Sequence, residues 1–318
     1  LAHATMEPQN TTAHFHADGL CELWSPNQAP DVTQAIVAEA LKLKRSKVRV
    51  HTTLMGGGFG RRGIPDYAVD AAEISRSIGK PVKVIWSRED DMRHDFYRPA
   101  TYNVLKAGLN ENGMVNTWHH KIVAPSLGKS LLPVFADVAP QWMPNWLVNA
   151  LVGGAGALVK TRDPTTSEGA SELPYAIDNV EIRHVYHDPG IPLGFWRSVG
   201  HSQNAFITES FVDELAHAAQ QDPLQFRLDL LAAHPKHLAV LKLAADQANW
   251  GQQAPGVYQG IAVHESFGSV VAEVVTLKAQ DSGLKISDVT CAVDCGIAVN
   301  PDLVKAQIES GVIFGLTA

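Results

Sequence analysis

Short runs of apolar or alternating residues, bounded by turn-forming residues, predict a series of β-strands. In residues 48–52 (VRVHT), for example, apolar and polar side chains alternate with a period of two. Residues 110–113 (NENG) are typical of the turn in a hairpin. The predicted strands are residues 48–52, 81–86, 102–109, 114–123, 180–187, 260–264, 270–277 and 286–293.

Apolar residues spaced three or four positions apart predict helices between these strands. Gly79 follows one of these patterns and is a typical C-terminal stop, whereas Pro223 and Pro235 restart helices after short breaks. The predicted helices are residues 31–43, 65–78, 203–248 and 301–307.

The middle of the chain has the weakest pattern. Residues 125–175 are rich in Gly, Pro and Asn, and we expect them to form an irregular surface excursion or a lid. The remaining elements predict an α+β fold of mixed sheets with packed helices, with one βαβ unit near the start.

Length, composition and net charge limit which classes of protein are possible. A chain of 318 residues predicts two domains, and 45% hydrophobic with 19% charged residues is ordinary for a globular protein. The formal net charge of −7 argues against a general nucleic-acid role, which needs a basic face.

The number of cysteines and the length of the apolar runs exclude further classes of protein. Cys21, Cys291 and Cys295 are too few for a disulfide scaffold, and also for an iron–sulfur cluster, which takes about four cysteine ligands. No run approaches the roughly 18–20 apolar residues of a membrane span. The first residue is Leu1, no signal peptide follows it, and residues 315–318 resemble the middle of a helix. We therefore expect the chain to be a segment of a longer polypeptide.

The strongest candidate for chemistry is the run Gly56-Gly57-Gly58-Phe59-Gly60, followed by two arginines. Four glycines in five positions expose backbone N–H groups and permit positive φ angles, so the loop can approach an anion closely. Its place between a predicted strand and a predicted helix favours a phosphate or pterin cradle. A purely structural turn and a dinucleotide site remain open at this point.

The dinucleotide alternative rests on residues 58–63 (GFGRRG), which fit G-x-G-x-x-G and would use Gly58, Gly60 and Gly63. Glu89 or Asp90 would then be the ribose-binding acid. The preceding strand argues against it, because it alternates where a central parallel strand would be apolar throughout.

Five motifs, in order along nearly the whole chain, resemble the molybdopterin-binding subunits of the xanthine dehydrogenase/aldehyde oxidase family. The resemblance is greatest to the beta subunits of isoquinoline 1-oxidoreductases and to the large subunits of bacterial aldehyde dehydrogenases. The motifs are residues 4–10 (ATMEPQN), 24–28 (WSPNQ), 54–62 (LMGGGFGRR), 194–206 (GFWRSVGHSQNAF), and the pair 294–301 (DCGIAVNP) with 307–311 (QIESG). An ordered set is far more specific than any one member, since Gln28, Arg197 and Gln307 taken singly are typical of exposed polar residues.

The resemblance implies a site. It places the amide of Gln28 beside the apical oxo group of molybdenum and the backbone of Phe59 next to the metal. It places Arg197 near the substrate and the molybdenum ligands. Gln28 and Arg197 would therefore be catalytic, and no protein side chain would bind the metal. The implied cofactor-binding residues are Gln28, Gly57, Gly58, Phe59, Gly60, Arg197 and Gln307.

The resemblance also implies an activity. It predicts an oxidoreductase that hydroxylates an aldehyde or an N-heterocyclic aromatic with oxygen from water. The cofactor would be molybdenum–molybdopterin, in bacterial members its cytosine dinucleotide form. Because three cysteines cannot hold the iron–sulfur relay, we expect a separate iron–sulfur subunit as partner. The alternatives are a nicotinamide-dependent dehydrogenase and a non-catalytic truncated module.

The sequence departs from the family pattern at two points. Val199 stands where xanthine-oxidising members have an aromatic residue, which argues against a purine substrate. The family's catalytic glutamate lies in a Gly-x-Gly-Glu segment, and these 318 residues contain none. We therefore expect the base outside this chain, and no turnover by this chain alone. Residues 1–190 would form a first molybdopterin-binding subdomain and residues 191–318 the truncated start of a second. The compartment, cytoplasm or periplasm, stays open.

Overall fold

The computed structural model describes residues 1–140, 142–161, 163–281 and 283–318. The elements follow in chain order: β1 (Asn10–Phe15), β2 (Cys21–Ser25), α1 (Pro30–Ala40), β3 (Val48–Thr52), α2 (Asp66–Ile78), β4 (Val82–Ile85), α3 (Arg88–Arg93), β5 (Tyr102–Leu109), β6 (Val115–Ala124), α4 (Leu127–Val138), α5 (Asn145–Thr161), α6 (Pro164–Ser167), β7 (Asn179–Tyr186), α7 (His201–Ala218), α8 (Pro223–Leu230), α9 (Pro235–Gln247), β8 (Val257–Ser266), β9 (Ser269–Gln280), β10 (Gly283–Asp294) and α10 (Pro301–Leu316). The mixture confirms the α+β class.

The chain forms two compact units whose segments interleave. The first unit contains residues 1–102, 123–166 and 184–199, and the second contains residues 103–122, 167–183 and 200–318. The boundary expected from the sequence at residue 190 separates two cofactor-binding subdomains. The assignment of residues 1–190 and 191–318 to these subdomains stays a prediction.

The first unit is built on a four-stranded sheet of order β3-β2-β1-β4. Strand β1 pairs antiparallel with β2 and β4, and β2 pairs parallel with β3, so β2-α1-β3 is a βαβ unit. The βαβ unit expected from the sequence, β3-α2-β4, is wrong, because β3 and β4 lie at opposite edges of the sheet. Alternation puts Ala13, Cys21 and Leu23 on the face covered by α1 and α2, where they are fully buried. Their neighbours His14 and Glu22 lie on the opposite face.

Two strands of this sheet, β1 and β2, fall in residues for which the pattern predicts no element. Both are short and β1 is mostly polar, and the central position of β1 comes from pairing on both sides. Strand β3 has the predicted bounds but lies at the sheet edge, which explains its polar alternate residues. Helix α2 ends as predicted at Gly79, which is left-handed with φ of 64°.

The irregular excursion expected for residues 125–175 is wrong. Most of this stretch is helical, in α4, α5 and α6. Ser126 caps α4 by accepting from the Lys129 N–H at 3.0 Å, and the buried carboxylate of Asp163 accepts from Ser126 Oγ and from the Gly128 N–H. Helix α4 packs against α1 and α5. Tertiary packing and capping thus outweigh the low helix propensity of glycines such as Gly153 and Gly154.

The second unit contains the antiparallel sheet β10-β9-β8 and the helices α7, α8 and α9. Trp118, Phe226, Leu230 and Leu241 lie in its core. The predicted helix breaks at Pro223 and Pro235 are confirmed as helix starts. The helix predicted to end at residue 307 continues to Leu316.

Strands β5 and β6 lie side by side in a third sheet of order β5-β6-β7. The turn between them is closed by hydrogen bonds between Asn110 and Met114, as expected for the predicted hairpin. Among the described helices, none combines the length and the apolar character needed to cross a bilayer.

Candidate functional site

The glycine loop leaves the edge strand β3 and doubles back before α2. Phe59 has φ of 55° and Gly60 has φ of 114°, so consecutive residues adopt positive φ. One turn of 3-10 helix at Arg61–Gly63 follows, and α2 begins only at Asp66. A dinucleotide fingerprint needs its first glycine at the end of a strand and its last at the start of a helix. Gly58 stands six residues after β3, so the geometry does not favour the nicotinamide alternative.

Arg62 ties the glycine loop to neighbouring chain segments. Its guanidinium is fully buried and donates to the carbonyl oxygens of Pro26 at 2.8 Å, Glu7 at 2.7 Å and Pro8 at 3.1 Å. Glu7 also accepts from Arg62 at 3.3 Å through its carboxylate. Arg62 therefore joins three chain segments, and it has no exposed surface with which to bind a ligand.

Arg61 is a second buried anchor. It makes a bidentate pair with Asp66 at 2.9 and 2.8 Å, and its Nε lies 3.1 Å from Asp95. The guanidinium also lies over the rings of Trp86 and Phe96, at 5.5 and 5.2 Å from their centroids. Paired, stacked arginines of this kind fix the backbone beside them.

Gln28 is held against the glycine loop through both its backbone and its side chain. Its backbone N–H donates to the Arg62 carbonyl at 3.0 Å, and its side-chain Oε1 accepts from the Gly60 N–H at 3.2 Å. The amide oxygen is engaged by Gly60, whereas the Nε2 group of the same amide can only donate. The side chain is exposed, so this donor can reach a bound group.

The arginine loop, residues 194–199, lies directly on the glycine loop. A Cβ placed on Gly60 would lie 1.6 Å from the carbonyl oxygen of Phe195, so only glycine permits this approach. The Arg197 guanidinium lies 5.9 Å from the centroid of the Phe59 ring. Partial burial lowers the pKa of Arg197, which nevertheless stays charged at neutral pH. Gln28, Phe59, Gly60 and Arg197 are thus brought together within the first unit.

The groups that converge here are nearly all hydrogen-bond donors. Among described residues, the N–H groups of Gly57 and Gly58 have no hydrogen-bond partner within the protein. The amide of Gln28 and the cation of Arg197 add further donors. Such a set fits a group rich in acceptors, such as the oxo ligands and pterin of a molybdenum cofactor. The residues present therefore fit that cofactor.

Gln307 is the predicted site residue that belongs to the second unit. It is an exposed residue on α10 of the second unit. Its role at the pterin stays a prediction.

Sequence reasoning missed His3, Glu7 and Asp95 as supports of this site. The Glu7 carboxylate accepts from the Gly56 N–H at 3.1 Å, a contact between residues 49 positions apart. Glu7 lies in the ATMEPQN motif, so the motif itself was the available signal. Its partner could be identified only from the folded chain.

We expect acid to weaken the hold on the glycine loop. Partial burial raises the pKa of Glu7, but hydrogen bonds from Gly56 and Asn10 and the charge of Arg62 outweigh this, so the net pKa lies below its usual value. A lowered folded pKa stabilises the protein above the unfolded pKa of about 4.3, and that contribution is lost as the pH falls through the folded value.

The measurement is the difference in unfolding free energy between wild type and Glu7→Gln from pH 7 to pH 3. It should be about 1 kcal/mol or less at pH 7, since the pair is partly exposed, and should disappear near pH 3. A difference that is the same at both pH values would contradict this role.

Comparisons with known proteins agree with the geometry. The family described as "Molybdopterin cofactor-binding domain" matches residues 1–133. The chain is 35% identical over 324 residues to the isoquinoline 1-oxidoreductase subunit beta of Brevundimonas diminuta, covering 99% of this chain and 38% of that protein. It is 27% identical over 265 residues to the aldehyde oxidoreductase molybdenum-binding subunit PaoC of Escherichia coli O157:H7, covering 79% of this chain and 32% of that protein.

Among solved structures, quinoline 2-oxidoreductase from Pseudomonas putida 86 has a similar fold. Its TM-score is 0.59 at 15% identity, covering 86% of this chain and 34% of that one. Residues 1–133 thus match a molybdopterin cofactor-binding domain. The family match and the similar proteins together support a molybdopterin-binding subunit of the xanthine dehydrogenase family. It spans about 38% and 32% of the length of the two relatives above.

Proposed function

We propose that this chain holds the molybdenum–molybdopterin cofactor of a hydroxylase that oxidises an aldehyde or an N-heterocyclic aromatic compound. The observation that carries the proposal is the convergence of Gln28, the glycine loop and Arg197 around Phe59, in a chain that matches a molybdopterin cofactor-binding family. When bound, the cofactor would supply two-electron oxidation and transfer of oxygen derived from water.

Each part of the site has its own task in this proposal. The N–H groups of Gly57 and Gly58 bind acceptor atoms of the cofactor, and Gln28 orients it through its amide donor. Arg197, half-buried over Phe59, stabilises negative charge that develops on a carbonyl oxygen or ring nitrogen of the substrate. The proton acceptor would be a carboxylate outside these 318 residues.

The names of the relatives support the substrate class. One relative is an isoquinoline oxidoreductase and another an aldehyde oxidoreductase. Cofactor in the cytosine dinucleotide form would be detected as cytidine monophosphate released by acid hydrolysis. We place the iron–sulfur clusters on a separate cysteine-rich subunit, because this chain has only three cysteines. Iron–sulfur absorbance in the purified subunit alone would contradict that assignment.

Molybdenum content and turnover of the full-length enzyme test the proposal. We expect about one molybdenum per subunit, an oxidised pterin after acid extraction, and oxidation of benzaldehyde or isoquinoline with a dye acceptor. Arg197→Met should lower kcat/KM by roughly 10²–10³-fold, the cost of removing one charge-stabilising donor. Its molybdenum content should stay at the wild-type level.

Arg183→Met is the matched control. Arg183 is an exposed arginine, paired with Glu181, and its substitution should leave kcat/KM unchanged. Absence of molybdenum from the wild-type enzyme, or thermal stabilisation by NAD, would reject the proposal in favour of a dehydrogenase. Molybdenum without turnover of either substrate class would favour the non-catalytic module.

A further inference from the structure

The carbonyl oxygen of Phe195 is the point where three segments of the first unit meet. Gly60 packs directly against it from the glycine loop. From the start of the chain, the ring nitrogen Nε2 of His3 lies 2.9 Å from the same oxygen. Phe195 stands two residues before Arg197, so whatever holds this carbonyl also sets the position of the arginine.

His3 is itself held by a buried carboxylate. Its Nδ1 lies 3.0 and 3.1 Å from the two carboxylate oxygens of Asp95, and its backbone N–H donates to the same group. Both His3 and Asp95 are buried. Asp95 also accepts from the N–H of Phe96 at 2.7 Å and faces Arg61 Nε at 3.1 Å.

The chemistry of these partners determines what the imidazole must do. A carbonyl oxygen and a carboxylate can only accept hydrogen bonds. The Nε2 nitrogen of His3 therefore donates to the Phe195 carbonyl, and the Nδ1 nitrogen faces the Asp95 carboxylate. Asp95 in turn lies against Arg61, whose guanidinium also pairs with Asp66.

The arginine loop needs such a restraint. Ser198 and Val199 have φ of 62° and 50°, and a non-glycine residue in the left-handed region is strained. Two consecutive residues of this kind, one of them β-branched, are stable only when the surrounding contacts determine the loop conformation. The Trp196 indole, which donates to the Ala2 carbonyl at 3.3 Å, provides a second tether to the same N-terminal segment.

We propose that His3, held by Asp95, is a positioning residue that fixes the strained arginine loop and so places Arg197 over Phe59. The restraint on the loop stands on the geometry alone, whereas its effect on catalysis rests on the function proposed above. His3 acts through the Phe195 carbonyl, two residues before Arg197.

Two conservative variants separate this role from simple packing. The side-chain amide of glutamine imitates the Nε2 donor of histidine, and that of asparagine imitates the Nδ1 donor. His3→Gln therefore retains the hydrogen bond to the Phe195 carbonyl. His3→Asn retains the hydrogen bond to Asp95 but loses the one to Phe195. The exposed His187 of the same unit provides the control variant His187→Asn.

Amide hydrogen exchange of the full-length protein is the first measurement, and it does not depend on cofactor loading. His3→Asn should speed exchange in residues 194–199 by about tenfold or more, with α2 and β1 unchanged. His3→Gln and His187→Asn should leave the loop at the wild-type rate. Equal effects of the two His3 variants, or acceleration spread over the whole unit, would overturn the proposal.

A double-mutant cycle in the loaded enzyme is the second measurement. His3→Asn should lower kcat/KM by about tenfold when Arg197 is present and should have no further effect in the Arg197→Met background. Additive losses would show that His3 does not act through Arg197. If the wild type lacks molybdenum, the proposed function fails, but the exchange experiment still decides whether His3 holds the loop.

Discussion

Gly60→Ala is expected to destabilise the first unit by roughly 2–6 kcal/mol and to abolish cofactor retention. The added Cβ would lie 1.6 Å from the Phe195 carbonyl oxygen, so one of the two loops must move. Overpacking of this kind costs about 1–3 kcal/mol, and the φ of 114° adds a further cost of about 1–3 kcal/mol for any residue other than glycine. Urea unfolding of the purified variant and its molybdenum content are the measurements.

Gly63→Ala is the matched control in the same loop. No atom lies within 4 Å of a Cβ placed on Gly63, and its φ is not in the left-handed region. Its stability should stay within about 0.5 kcal/mol of wild type and its cofactor content unchanged. If the two variants behave alike, the close contact between the loops is not a determinant of the site.

Arg227→Met should lower the free energy of unfolding of the second unit by about 3–5 kcal/mol. Arg227 is fully buried and pairs with Glu209 at 2.9 Å and Asp213 at 2.6 Å. Burial alone would lower its pKa, but Glu209, Tyr175 and Asp213 raise it above its usual value. Removing the cation leaves the buried Glu209 carboxylate without its counter-charge, and that uncompensated charge dominates the loss.

A second substitution, at Glu209, tests whether the unpaired charge causes this loss of stability. Glu209→Gln in the Arg227→Met background should recover part of the lost stability, because it removes the unpaired charge. Arg183→Met, which breaks the exposed pair with Glu181, should change stability by less than about 1 kcal/mol. Equal losses for Arg227→Met and Arg183→Met would mean that burial of the pair does not matter.

Much of the fold could be predicted from local patterns. Strand β3 and the stop of α2 at Gly79 follow directly from alternation and from a glycine after an apolar helix face. The restarts of α8 and α9 follow from Pro223 and Pro235. These signals are local, since each depends on residues within one or two turns of the backbone.

The elements that the sequence analysis missed depend on contacts between distant residues. Strand β1 is too polar and β2 too short to be identified alone, and pairing with neighbours determines them. Helices α4 and α5 contain residues that disfavour helices, and their packing and the Asp163 cap compensate. In both cases long-range contacts outweigh local preference.

By itself the sequence determined the motifs and their order, and from them it predicted the family, a molybdopterin cofactor and the site residues Gln28, Phe59 and Arg197, whose roles stay predictions. The tertiary structure alone decided how they are held. It turned Arg61 and Arg62 into buried anchors and placed Gly60 under the Phe195 carbonyl. It also brought His3 to that carbonyl across 192 positions of sequence. Motifs record which residue types a cofactor needs, whereas the hydrogen bonds that fix them join segments whose proximity exists only after folding.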